Sequence, residues 1–171
     1  MLEKLRKAMK TADIDMLLIP SADPHGSEYP EEYFKARKHF SGFTGSAGTL
    51  LIWQGGAGLW TDGRYFLQAE RQLEGSGIDL FKMREPGVPT VDEFIAENIK
   101  GGVLGADLRT ISASEGMELE KGGAILKDCR SLIDGCWEGR PELSREPAYV
   151  LPMELAGVSA GDKLAAVRAE M

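Results

Sequence analysis

The 171-residue sequence has few of the side chains that do chemistry: two cysteines, Cys129 and Cys136, and two histidines, His25 and His39. The spacing of the cysteines matches no zinc pattern, and no second pair exists to complete one. Reduced thiols are the expectation. His25 has Asp23 and Glu28 nearby, but a metal site needs three or four convergent ligands, and no ordered spacing supplies them. Excess positive charge is also missing. The chain carries 20 lysines and arginines against 27 acidic residues, a net charge of −7. That excludes the clustered basic footprint of a nucleic-acid binder. The densest basic run, Lys35, Arg37, Lys38 and His39, follows Glu31 and Glu32 and reads as a solvated helix face, with His39 near a helix end that favours a cation. No apolar run approaches the ~20 residues needed to span a membrane, and residues 1–10 are charged throughout, unlike a signal peptide. Ser27, Thr44 and Ser46 sit in no Gly-x-Ser-x-Gly elbow. No nucleophile, base and orienter set is visible.

What remains is an ordinary globule, 43% hydrophobic and 27% charged. Leu2, Leu5, Ala8, Met9 and Ala12 recur at helical spacing. Residues 16–19 are a continuous apolar run closed by Pro20, which predicts a buried, central strand. Pro30, Glu31 and Glu32 open a short helix that stops near residues 40–42. Residues 49–53 and 58–61 predict two strands joined by the Gln54-Gly55-Gly56 turn, hence an antiparallel pair. A helix with Phe66, Ala69 and Leu73 on one face follows, with Thr61 or Asp62 as its expected N-cap. Short strands are expected at 79–83, 103–106 and 124–127. Helices begin at the capping boxes Thr90-x-x-Glu93 and Ser112-x-x-Glu115, where hydroxyl and carboxylate satisfy each other's free backbone N–H groups. Alternating strands and helices predict an α/β domain with a mixed sheet flanked by helices.

The most specific text is 39–66. Gly42-x-x-Gly45-x-x-Gly48 precedes a strand, whereas phosphate-binding glycines follow one and open a helix, and it lacks the Gly-Lys-Ser/Thr ending. These glycines therefore read as sites of tight bending or close backbone approach. Asp62-Gly63-Arg64-Tyr65 lies at a strand-to-helix junction. Arg64 there either presents its guanidinium to a carboxylate ligand or closes an internal salt bridge to an acid such as Asp62 or Glu28.

Several blocks carry a family resemblance. Residues 19–29 (Ile-Pro-Ser-Ala-Asp-Pro-His-Gly-Ser-Glu-Tyr), Arg37, residues 41–49 (Ser-Gly-Phe-Thr-Gly-Ser-Ala-Gly-Thr) and residues 59–70, which open Leu-Trp-Thr-Asp-Gly-Arg-Tyr, resemble the creatinase/prolidase-type N-terminal domain of Xaa-Pro aminopeptidases of the long, three-domain cytosolic type. Trp137-x-x-Arg140-Pro141, Leu155-Ala-Gly157 and Val167-Arg168 extend the likeness. The resemblance implies a division into a domain at 1–137, a linker at 138–152 and the first helix of a second domain at 153–171. It implies a parent hydrolase that removes the residue before a proline at position two of short peptides, using two divalent metals, usually manganese, in a catalytic domain outside this sequence. This stretch itself would then be inactive and bind no catalytic metal or other cofactor. The implied partners are the protein's own second and catalytic domains and, in a cytoplasmic homodimer, a second copy. By the same resemblance His25, Glu28, Tyr29, Arg37, Asp62, Arg64 and Tyr65 are candidates for lining the substrate cleft or an interface; equally they brace the domain internally. Two other readings stay open: a non-catalytic peptide- or histone-binding module of the same fold, compatible with the acidic charge, and the N-terminal domain of a prolidase or creatinase.

Overall fold

A computed structural model describes residues 1–171. In chain order the elements are α1 (Leu2–Thr11), β1 (Met16–Pro20), a 3-10 turn (Glu32–Phe34), α2 (Ala36–Ser41), β2 (Thr49–Trp53), β3 (Gly56–Thr61), α3 (Phe66–Leu73) and β4 (Asp79–Lys82). Then come α4 (Val91–Ile99), β5 (Val103–Ala106), a second 3-10 turn (Leu108–Thr110), α5 (Ala113–Lys121), β6 (Ile125–Asp128), α6 (Arg130–Cys136), α7 (Met153–Ala156) and α8 (Ala160–Glu170). The six strands form one sheet in the order β4-β3-β2-β1-β5-β6. β2 is antiparallel to both its neighbours and the other pairings are parallel. The mixed sheet and the antiparallel pair are as the alternation and the Gln54-Gly55-Gly56 turn predict, and β1 is central.

The period-two alternation of strand side chains sorts the core onto two faces. Leu17 and Ile19 of β1, Leu50 and Ile52 of β2, and Ala57 and Leu59 of β3 face α1, α2, α3 and α6. Met16, Leu18, Leu51, Trp60, Leu104 and Ala106 face α4 and α5. β1 is apolar on both faces because helices cover both. Each fully buried leucine here, such as Leu17, Leu50 or Leu59, contributes roughly 1.5–3 kcal/mol of apolar burial. On the second face an aromatic cluster seals the β3–β4 edge: Trp60 stacks on Phe81 at 4.0 Å and meets Phe94 edge-on at 5.3 Å. The Trp60 indole N–H donates to the Pro89 carbonyl.

Several local expectations change. The helix foreseen after Pro30 is broken at Lys35 into a 3-10 turn and α2. α3 starts at Phe66 with no side-chain cap. Thr61 donates instead to the Ala47 carbonyl, and the Asp62 carboxylate accepts from the Arg64 backbone and side chain. Both capping boxes form as the spacing predicts. The basic run 35–39 is a solvated face only in part: Lys38 is exposed, but its neighbours are not. Arg37 is buried, and the His39 ring stacks on Trp137 with centroids 4.3 Å apart. Burial there pushes the His39 pKa down, so the neutral imidazole is favoured over the expected helix-end cation. After Trp137 the backbone is irregular over residues 141–152. Ser159 caps α8, whose Leu164 and Val167 side chains are exposed, as is Met171 at its C-cap.

Candidate functional site

The carboxyl ends of β1, β3, β4, β5 and β6 share one edge of the sheet. β1 continues toward β2 on one side, and β5, its neighbour, continues toward β6 on the other. Diverging connections leave a crevice outside the strand ends, where open α/β sheets place ligands. A cleft of about 630 Å³ lies there, walled by the loop after β1, the Ser46–Thr49 segment, the loop after β5 and the starts of α4 and α5. A second cavity of about 230 Å³ lies on the other side of the loop after β1, between that loop, α2 and the glycine loop.

The glycine loop between α2 and β2 separates and shapes these cavities, and it is held from both sides. Gly42 turns the chain out of α2 with φ +73, a left-handed conformation that suits glycine. Gly45 has no room for a side chain: a Cβ there would lie 2.3 Å from the Phe43 ring and 2.8 Å from Tyr65. Arg37 clamps the loop from below. Its Nε donates to Ser21 Oγ at 2.8 Å, Nη1 to the Phe43 carbonyl at 2.6 Å, and Nη2 to the Gly45 carbonyl. Ser21 Oγ in turn donates to the Gly48 carbonyl, and the guanidinium lies 4.9 Å from the Phe43 ring centroid. From above, the Tyr65 and Ser46 hydroxyls are 2.7 Å apart, and Gln68 and Gln72 of α3 both donate to Thr44 Oγ1. Burial pushes the Arg37 pKa down to about 10, which leaves it protonated at neutral pH.

Three strand ends carry the same device. Asp62, Asp107 and Asp128 stand at or next to the ends of β3, β5 and β6, and each pairs with the arginine two residues later. In the first two the geometry is nearly identical: Nε and Nη2 of Arg64 meet the two Asp62 oxygens at 2.9 and 2.8 Å, and those of Arg109 meet Asp107 at 2.9 and 2.7 Å. In both pairs the backbone N–H of the arginine also donates to the aspartate. The Arg64 bond holds the Asp62 carboxyl at about 2, well below the usual range. Arg64 and Arg109 both line the larger cleft, but their charge is already matched. Asp23, Glu28, Asp92 and Glu115 also line it, so the cleft is acidic. Burial and the charges of Glu115, Glu118 and Glu93 push the Asp92 carboxyl up.

The candidate residues fall into distinct places. Glu28 borders both cavities, Arg64 the larger, and Tyr29 and Arg37 the smaller. Tyr29 is exposed; Arg37 is a buried clamp. His25 and Tyr65 line neither cavity; Tyr65 reaches them only through Ser46, while His25 is exposed. Asp62 acts on Arg64. Sequence reading passed over Arg109 and its packing. Arg109 lies over Tyr33 at 5.4 Å, and Arg140 lies over the same ring at 3.7 Å while donating to the Tyr33 carbonyl. The repeated Asp-x-Arg after a predicted strand was the signal that would have found Arg109. No group of three or more His, Cys, Asp or Glu side chains converges as a metal site would require, so a di-nuclear centre does not fit these residues. The arrangement offers shape, fixed hydrogen-bond donors and charge.

A family model described as the creatinase/prolidase N-terminal domain matches residues 1–136. A probable Xaa-Pro aminopeptidase P of Coccidioides posadasii (strain RMSCC 757 / Silveira) is 41% identical over 177 aligned positions, which cover 99% of this chain and 29% of that protein. Aminopeptidase P2 of Arabidopsis thaliana is 40% identical over 91% of this chain and 23% of its own length. Among solved structures, the X-prolyl aminopeptidase of Caenorhabditis elegans, described as a cytosolic enzyme with a di-nuclear active site, matches with a TM-score of 0.82 at 31% identity, over 99% of this chain and 30% of that one. The chain thus spans less than a third of the length of these relatives.

Proposed function

The chain belongs to the creatinase/prolidase N-terminal domain family, and from that premise we propose that it is the non-catalytic N-terminal domain of a Xaa-Pro aminopeptidase. The parent enzyme removes the residue that precedes a proline at position two of a peptide. One observation carries this reading: a fungal aminopeptidase P aligns with nearly all of this chain, 99% of it, using only 29% of its own length. The metal pair of such an enzyme, manganese by this reading, belongs to that remaining length, since no side-chain group here fits one. Residues 138–152 serve as a linker and 153–171 open the second domain. The exposed Leu164 and Val167 on α8, with Met171 at its C-cap, support a neighbour on that helix. The assembled protein is a cytoplasmic homodimer.

The role of residues 1–137 is to shape access to the substrate cleft. The support is the carboxyl edge of the sheet: a cleft at the point where connections diverge, bordered by exposed Glu28 and Arg64, with Tyr29 beside it, on a loop framework clamped by Arg37 and Tyr65. Rigid borders discriminate by size at small entropic cost. The test uses the full-length enzyme with Glu28→Ala, Tyr29→Ala and Arg64→Ala together, on a short Xaa-Pro peptide and on a long one. The expected result is an altered ratio of kcat/KM between long and short peptides, with kcat on the short peptide unchanged. An unchanged ratio contradicts the access role.

A further inference from the structure

Arg37 presents a chemical imbalance that the clamp leaves open. A guanidinium has five N–H donors. Three of them are spent on Ser21, Phe43 and Gly45, all neutral oxygen acceptors. Two N–H groups remain without a protein acceptor. No carboxylate lies within ion-pair distance of this buried side chain, whereas the half-buried Arg109 and the buried Arg140 side chain each have an aspartate beside them. A buried cation without a counter-charge is costly unless something of opposite sign shares the site.

The space for it exists. The cavity of about 230 Å³ is lined by Arg37 itself, by Lys35 and Lys38, and by the hydroxyl-bearing Ser21, Thr44 and Ser46. It is too large for one water, whose share of liquid volume is about 30 Å³. Lys35 is paired with Glu32, and Lys38 makes no ion pair. Glu28 at the rim is the one carboxylate in the lining, and it is exposed to solvent. Arg37 and Lys38 against Glu28 leave one positive charge unmatched, in a chain whose net charge is −7.

From this cavity, its hydroxyl groups and its unmatched buried guanidinium, we propose that the space between the loop after β1, α2 and the glycine loop binds a small oxyanion, a carboxylate or a phosphate. The anion takes the two free N–H groups of Arg37 and the ammonium of Lys38, while the Thr44 or Ser46 hydroxyl, whose proton is not committed to a carbonyl, supplies a neutral donor. Charge-assisted hydrogen bonds of this kind are the strong ones in a shielded site. Binding ties the loop after β1 to the glycine loop, the two segments that also border the larger cleft. Occupancy would therefore stiffen both.

The test is an NMR titration of the 171-residue chain with sodium phosphate and, separately, sodium acetate, at ionic strength held constant with chloride. The expected result is saturable shifts at the backbone amides of Gly45 and Ser46 for one or both anions. The anion that saturates at the lower concentration identifies the ligand class. Lys38→Glu, an exposed position outside the core, should weaken binding by about tenfold, the effect of reversing one partly screened charge at close range. Arg37→Gln should abolish it, and if that variant does not fold, Lys38→Glu alone decides. Shifts that fail to saturate with both anions, that chloride reproduces, or that persist unchanged in Lys38→Glu overturn the proposal.

Discussion

Arg37→Met removes the guanidinium that holds the glycine loop to β1, and the cost follows from what is left behind. The Phe43 and Gly45 carbonyls lose their donors in a closed space, at about 1–3 kcal/mol each for a buried acceptor left unmade. The bond to Ser21 contributes about 1 kcal/mol, and the contact with the Phe43 ring roughly another. The gross loss is about 4–8 kcal/mol. Against it stands the relief of no longer burying a charge. The depression of the Arg37 pKa by burial, to about 10, corresponds to roughly 3 kcal/mol. A net loss of about 3 kcal/mol is expected, a large part of the 5–15 kcal/mol that a domain has. Urea denaturation followed by tryptophan fluorescence should show the midpoint fall by roughly 1–2 M at unchanged m. Arg37→Lys is the companion variant. It keeps the charge but has no planar fork to reach three acceptors, so its loss should be nearly as large. A destabilisation of Arg37→Met below about 0.5 kcal/mol would mean that water replaces the guanidinium, and the clamp reasoning would be wrong.

Two further predictions concern neighbouring positions. Burial against Trp137 holds the His39 pKa below 6.5, so the folded state takes up this proton later than the unfolded chain; the stability is complete above pH 6.5 and is lost as pH falls through the folded value. Urea midpoints between pH 7.5 and 5 should fall for the wild type and fall less for His39→Phe; equal slopes would contradict the burial argument. Gly45→Ala drives a Cβ to 2.3 Å from the Phe43 ring and should cost about 1–3 kcal/mol, whereas Gly135→Ala in α6 meets nothing within 4 Å and should raise stability by roughly 0.5–1 kcal/mol. Thermal melts of the two variants should move in opposite directions.

How much of this was readable from sequence depends on whether the determinant is local. The strands carried by 16–19 and 49–53, the turn between β2 and β3, and both capping boxes are set by residues a few positions apart, and they form as the pattern predicts. α6 was not foreseen. Its N-cap, Cys129, makes no side-chain capping bond and the helix contains Gly135, so its helical signal is weak. It exists because Ile133 and Cys136 pack into the core with Leu5 and Met9 of α1. The N-cap expected at Thr61 or Asp62 failed for a related reason. Both side chains had partners that a cap search does not consider, the Ala47 carbonyl and the Arg64 guanidinium. The site followed the same rule. Asp62-Gly63-Arg64 was visible as a junction and its internal salt bridge was among the readings weighed. The stack of Arg109 and Arg140 on Tyr33 joins residues separated by 76 and 107 positions and left no local trace. Arg37 was legible as a member of a family pattern, while its burial was not, because the charges around it suggested a solvated helix.

The central claim is that this chain is a non-catalytic domain whose chemistry resides elsewhere in its parent. The direct measurement is hydrolysis of a short Xaa-Pro peptide by the purified 171-residue chain in the presence of manganese, beside the full-length enzyme at equal molarity. The account predicts turnover by the full-length enzyme and none above background by the isolated chain. Chelator-sensitive release of the N-terminal residue by the isolated chain would contradict it.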